Sequence, residues 1–320
     1  MGLTNGTGQM ALTAAKTNYN GHSMVDALER VMVCSPRTAG WDQPDRAAHW
    51  QKLGFQHSPD FATAQAQHES FCHELEAAGA EIIEIPPSAG LTLDAVYAHD
   101  ASFPTDFGAI VLRPGKANRI TEATHHAGFY LRLNIPTLYT MPPQGTAEAG
   151  DMLWLDSKTL LIGRGYRTNK FGILCLHALL HRKGIAVLSA PLPYGSGPSA
   201  CLHLMSLISL LDDHTALVDL PFLAVDTVEL LKAHGFNFIE IDSSERDSLA
   251  CNVLALGNNR LLAIEENRKT NARLRHAGFD VRMFPGSELC INGGGGPTCL
   301  TPASSDPVYA ISLPLLLANS

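Results

Sequence analysis

The chain lacks most of the signals that would place it early. No Cys-x-x-Cys pair occurs among its 320 residues, which removes zinc ribbons and thioredoxin-like redox motifs. No Gly-x-Gly-x-x-Gly follows a strand pattern, so a Rossmann dinucleotide site has no opening. There is no basic block, and the net charge of −8 makes nucleic acid a poor partner. The longest apolar runs, such as Leu202–Leu211, are too short and interrupted to span a bilayer, so no membrane partner is expected. The segment from Met1 to about Ser23 has no apolar h-region and reads as a loose tail rather than a signal peptide. Met1-Gly2 is followed by Gly6 where N-myristoylation needs Ser or Thr at that position.

What is present is an ordinary globular composition, 45% hydrophobic and 17% charged, rich enough in apolar residues for a sizeable core. Seven cysteines are scattered and odd in number, which fits free thiols in a reducing, cytoplasmic compartment. One unit recurs along the chain: an amphipathic helix, a glycine, then a short strand. It is seen at Leu75–Gly79 with Ala80–Ile85, Leu179–Gly184 with Ile185–Ala190, Leu230–Gly235 with Phe236–Ile241, and Arg273–Gly278 with Phe279–Phe284. A weaker copy runs from Thr124 through Asn134 to Met141. Each glycine stands where a helix takes a left-handed cap, and the alternation after it marks a half-buried strand. Short apolar strands are expected at Arg30–Val33, Ala109–Leu112, Thr159–Ile162, Thr215–Val218 and Arg260–Ile264. The spacing of about fifty residues predicts five strand–strand–helix–strand modules, arranged as a five-bladed β/α-propeller, with the N-terminal strand completing the last module. The expected organisation is a flexible tail over 1–26 and a single α/β domain over 27–320.

The most informative stretch is Gly293-Gly294-Gly295-Gly296-Pro297-Thr298-Cys299. Consecutive glycines shape backbone and admit close approach, and this run delivers a cysteine. Polar residues open the equivalent strands of the other modules: Asp94 and Asp100, Glu148, His203 and Asn252. Pseudo-symmetry would bring two carboxylates, an imidazole and a thiol to one axis, a recognisable catalytic constellation. Each has a plainer reading: His203 as a core histidine, Glu148–Asp151 as a capped turn, Cys299 as a buried thiol. A metal site is the sharper rival, but an open Cys/His/Asp zinc site would be unusual, so neither metal nor cofactor is expected. His125 and His126 read as a solvated helix face.

Taken together, the motifs resemble the guanidino-group-modifying (pentein) superfamily, above all its dimethylarginine dimethylaminohydrolase branch. The carrying stretches are Asp94–Asp100, Arg113-Pro114-Gly115, Gly145–Asp151, Arg167-Thr168-Asn169, His203-Leu204 and Gly295–Cys299. The resemblance implies a cofactor-free hydrolase of a small guanidino substrate. In it Cys299 is the nucleophile, His203 the general acid and base, and Glu148 the carboxylate that orients His203. It implies that Asp100 grips the guanidinium, Asp94 contacts the amino end, and Arg119 and Arg167 clasp the α-carboxylate. His99 stands beside the guanidinium grip where that branch has Glu. Met205 stands where the deiminases carry a second Asp, which would leave apolar room for an N-alkyl group. An amidinotransferase, a deiminase and a non-catalytic binder on the same scaffold stay open, as does a homo-oligomer. The segment Ser35–Trp41 is the expected lid.

Overall fold

A computed structural model describes residues 21–304 apart from Ser199 and Cys201; for residues 303 and 304 it describes the backbone alone. The fold is α/β, built from five three-stranded sheets of one topology. In each, a middle strand pairs antiparallel with one neighbour and parallel with the other. These sheets are β3 (Ser102–Thr105), β4 (Gly108–Val111) and β5 (Thr137–Thr140); β6 (Met152–Asp156), β7 (Thr159–Arg164) and β8 (Ala186–Pro191); β9 (Ile208–Asp212), β10 (Thr215–Val218) and β11 (Asn237–Glu240); β12 (Leu254–Ala255), β13 (Arg260–Ile264) and β14 (Asp280–Phe284). The fifth joins the chain ends: β1 (Arg30–Val33) runs parallel to β2 (Glu81–Glu84) and antiparallel to β15 (Ala303–Ser304). The last module is thus completed by the N-terminal strand, as the repeat requires.

A helix links each parallel pair: α4 (Phe61–Ala78), α5 (Ile120–Arg132), α6 (Lys170–His181), α7 (Val225–Ala233) and α8 (Arg268–His276). Parallel neighbours need such a crossover. The stop after four of these helices is chemical: Gly79, Gly184, Gly235 and Gly278 have φ of 105°, 80°, 87° and 99°, and Asn134 takes the same role at 56°. The middle strands are almost wholly buried, whereas β2, β5 and β11 are exposed at both ends and only half-buried at their inner positions. Each buried Leu, Ile or Val of those middle strands contributes roughly 1.5–3 kcal/mol, so the sheets are anchored from their centres. No described helix is long and apolar enough to cross a membrane.

Three expectations change. Residues 1–20 of the expected tail lie outside the described residues, but from residue 21 the chain is packed: His22 is buried, stacked 4.0 Å from Trp154 and bonded to Ser157 O at 3.0 Å. Ser35–Trp41 is no open lid. It forms the single-turn helix α1 (Pro36–Ala39), followed by α2 (Pro44–Ala47) and α3 (Trp50–Leu53), and Trp41 is buried with Nε1 donating to Leu93 O at 3.0 Å. His126 is not solvated: it is buried against Ser102 Oγ at 2.9 Å, while His125 Nε2 donates to Pro86 O at 2.7 Å.

Candidate active site

The polar residues of the repeat do not open strands; they sit in the turn before each sheet's first strand. Glu148 and His203 are the residues before single 3-10 turns, Ala149–Asp151 and Leu204–Ser206, which lead into β6 and β9. Asp100, Asn252 and Cys299 lie in the turns before β3, β12 and β15.

These turns touch in sequence around the molecule. Gly150 N donates to Asp100 Oδ1 at 3.3 Å, linking the first to the second. His203 Nε2 lies 2.6 Å from Glu148 Oε2, and Leu204 N donates to Asp151 Oδ1 at 2.9 Å, linking the second to the third. Ser209 Oγ donates to Cys251 O at 2.6 Å, linking the third to the fourth. Asn252 Nδ2 donates to Cys299 Sγ at 3.4 Å, and His99 N donates to Cys299 O at 3.1 Å, which returns to the first.

The acidic half is dense. His203 Nε2 faces Glu148 at 2.6 Å and Asp100 Oδ1 at 4.0 Å, all three side chains buried. The ring's other edge accepts from the Ser206 amide, so Nε2 carries the proton toward Glu148. Gly150 permits this: a Cβ there would fall 2.8 Å from the imidazole and 3.0 Å from Asp100 Oδ1. Glu148 Oε1 accepts from Gly115 N at 2.7 Å and faces Arg167 Nη1 at 3.4 Å. Burial works to raise both carboxyls. For Glu148 the bond and charge of His203 outweigh it, and for Asp100 the charges of His203 and Arg119 do, so both stay below the usual carboxylate range. Asp151, which holds the backbone next to His203, is instead pushed by burial up to about 6.

Asp100, Glu148 and His203 place ligand-type atoms within 4.8 Å of one another, a spacing a metal ion could use. Two of the cluster's carboxylate oxygens are already engaged by guanidinium groups, Asp100 Oδ2 by Arg119 at 2.6 Å and Glu148 Oε1 by Arg167 at 3.4 Å. His177 and His181, four apart on α6, stack at 5.5 Å on the exposed side and take no part.

On the thiol half, the side chain bonded to the sulfur is a neutral amide, that of Asn252. Cys299 is partly exposed and lines a cavity of about 550 Å³ together with His203, Ser206, Asn252 and Gly294. Cys34, Cys251 and Cys290 are buried, and burial pushes their thiols up. The glycine run is used for approach: a Cβ at Gly293 or Gly295 would land on Tyr97, and one at Gly296 would lie 2.5 Å from Asn252 Cγ.

Other expected residues are placed differently. Arg119 does not face outward: it is buried, with Nη1 on Asp100, Nη2 on Glu122 Oε2 and Tyr97 O (each 2.8 Å), and Nε on Glu122. With all three nitrogens engaged it is the counter-ion of Asp100, not a clasp for a carboxylate. The signal was legible as Arg119-x-x-Glu122, one helical step apart. His99 and Met205 line a second, enclosed cavity with Phe103, Leu153 and Thr301, not the one at Cys299. His99 Nδ1 donates to Thr301 O at 2.9 Å, burial lowers its pKa, and its backbone N–H holds Cys299 O at 3.1 Å. The apolar room expected from Met205 therefore lies on the far side of the turn. Asp94 is buried and paired with Lys116 Nζ at 3.0 Å, a lysine that sequence reasoning left out. Arg167 Nη2 donates to Ala200 O at 3.3 Å.

With this geometry in view, the comparisons are informative. The arginine deiminase family model matches residues 221–303. The dimethylarginine dimethylaminohydrolase of Streptomyces coelicolor is 28% identical over 247 residues, 76% of this chain and 86% of that protein. An arginine deiminase of Mycobacterium tuberculosis is 29% identical over 195 residues, 50% of this chain and 47% of that protein. In structure, the Pseudomonas aeruginosa dimethylarginine dimethylaminohydrolase, solved as a mutant complexed with citrulline, matches with TM-score 0.69 at 24% identity, covering 87% of this chain and 99% of that one. Fold and site define an α/β protein with a buried acid–imidazole cluster beside an accessible thiol. These likenesses support a place in the guanidino-group-modifying (pentein) superfamily, and the chain is similar to the dimethylarginine dimethylaminohydrolases.

Proposed function

We propose that this chain is a hydrolase that cleaves a C–N bond of a substituted guanidinium, taking a dimethylarginine-like substrate to citrulline and an alkylamine. The observation that carries the reading is that His203, held by Glu148 at 2.6 Å beside Asp100, lines the same cavity as Cys299. The closed series of contacts from turn to turn, with β15 pairing to β1, supports a radial arrangement of the five sheets as propeller blades around that site.

A guanidinium is resonance-stabilised, and a thiolate is the strongest nucleophile the side chains offer. Two carboxylates held ionised make a cation site, and the bound cation in turn favours thiolate at Cys299. The Cys299 sulfur bonds to the guanidinium carbon. His203 gives its proton to the departing amine as the C–N bond breaks, leaving a covalent thiouronium. Water, deprotonated by His203, then adds to that carbon, and the C–S bond breaks to release the ureido product and restore the thiolate. Asp100 grips the guanidinium nitrogens, Glu148 orients His203, Arg167 meets the α-carboxylate, and Asp94 with Lys116 bounds the amino end.

Deiminase activity on arginine is the second reading, favoured by the family model over residues 221–303. A citrulline assay across methylated arginines, arginine and agmatine separates the two. Turnover of methylated arginines supports the first reading, turnover of arginine alone the second, and citrulline or its analogue from none removes both.

A further inference from the structure

The thiol half contains a residue with no assigned task. Asn252 is buried in the turn before β12 and lines the Cys299 cavity. Its Oδ1 accepts two hydrogen bonds from one residue, Thr298 N at 3.0 Å and Thr298 Oγ1 at 2.9 Å. Those donors fix which end of the amide is oxygen, because an NH₂ there would face N–H and O–H. The amide nitrogen is thereby aimed at Cys299 Sγ, 3.4 Å away. The wrapping depends on Gly296, since a Cβ there would lie 2.5 Å from both Cγ and Oδ1 of Asn252.

We propose that Asn252 is a positioning residue for the Cys299 thiolate, an amide donor held by Thr298 that stabilises and orients the sulfur anion without adding positive charge. This rests on Cys299 being the nucleophile proposed above. A hydrogen bond donated to the charged form favours that form. The usual thiolate activator is a cation, but a fixed cation at the sulfur would repel a guanidinium arriving beside it. A neutral donor avoids that conflict. The charged and titratable groups around the sulfur are His203, Asp219, Arg246 and Asp247 on the cavity wall and Cys290 behind it, and Arg246 is already bonded to Asp219 at 2.9 Å.

The test uses the full-length protein and iodoacetamide, with alkylation of the Cys299 peptide followed from pH 5 to 10. Asn252→Asp keeps the acceptor for Thr298 but puts a carboxylate charge where the donor was, which itself disfavours the thiolate; Asn252→Ala removes the donor without adding charge and is the deciding variant. Both are expected to move the alkylation midpoint up by about one unit or more. Both should lower kcat/KM near neutrality about tenfold or more through kcat, with KM little changed. Thr298→Val should give a smaller shift in the same direction. In the unaltered protein the Asn252 side-chain amide proton signals should move with the thiol's titration, a readout that needs no variant. An unmoved signal, or alkylation and kcat the same in every folded variant while citrulline is still formed, overturns the proposal. If instead the midpoint responds to Asn252 but no guanidino compound is turned over, the functional reading falls and the positioning stands.

Discussion

The acidic half and the thiol half of the site are built from opposite materials. Asp100, Glu148, Arg119, Glu122 and Arg167 form a buried ionic lattice around His203. Across from it Cys299 meets Asn252, Thr298 and glycine backbone. The contrast teaches a division of labour. Under the proposed function, carboxylates would draw the cation in with arginines offsetting their burial, while the sulfur is met directly by a neutral donor, so that the bound cation would switch it on.

The hardest blow to this contrast is Cys299→Ser, which replaces the thiolate by a weak alcohol; kcat should fall by about three orders of magnitude or more, read by citrulline formation. Next is His203→Ala, which takes proton transfer from the acidic half and should cost about 10²–10⁴. A near-wild-type rate in either variant would remove that residue's role. Asp100→Asn strikes the lattice rather than the chemistry alone. Arg119 loses a buried partner, so thermal unfolding should show a loss of about 3 kcal/mol, together with a higher KM. Arg37→Met is the surface control: Arg37 meets Asp42 at 3.2 Å with neither side chain buried, and the same measurement should show at most about 1 kcal/mol.

The two halves should also part with pH. His126 packs under the acidic half, and burial, with the charges of His125 and Arg119, lowers its pKa to about 3 from an ordinary 6.5. Below pH 6.5 the unfolded chain therefore binds a proton that the folded chain refuses. Stability from this group is complete above 6.5 and is lost as pH falls toward 3, at up to about 1.4 kcal/mol per pH unit. Replacing His126 by Gln should flatten that limb of a melting-versus-pH curve. A curve unchanged by the replacement would show that this histidine does not set it.

Periodicity carried much of the fold. Strands Arg30–Val33, Thr215–Val218 and Arg260–Ile264 stand where their apolar runs lie, and the glycine caps end the helices as a positive φ demands. Direction within a turn was not legible. His99 adjoins Asp100 and Met205 lies two residues after His203, yet a turn sends neighbouring side chains to different sides, and both line the second cavity instead. Arg119 was misread for a related reason: beyond its local partner Glu122, Asp100 reaches it only after folding, and burial makes Arg119 the counter-ion of both. His126 failed because one helix face cannot reveal which sheet covers it. Asn252 was visible as the fourth module's polar residue, but its use depends on Thr298 aiming one amide nitrogen.

The most direct test is covalent capture. A haloacetamidine, which carries an amidinium and an alkylating carbon, is incubated with the protein, and the digested chain is weighed by mass spectrometry. A single adduct on the Cys299 peptide, slowed by a guanidino substrate and absent in Cys299→Ser, is the predicted result. An adduct on other cysteines with activity lost, or activity kept with Cys299 fully modified, would contradict it.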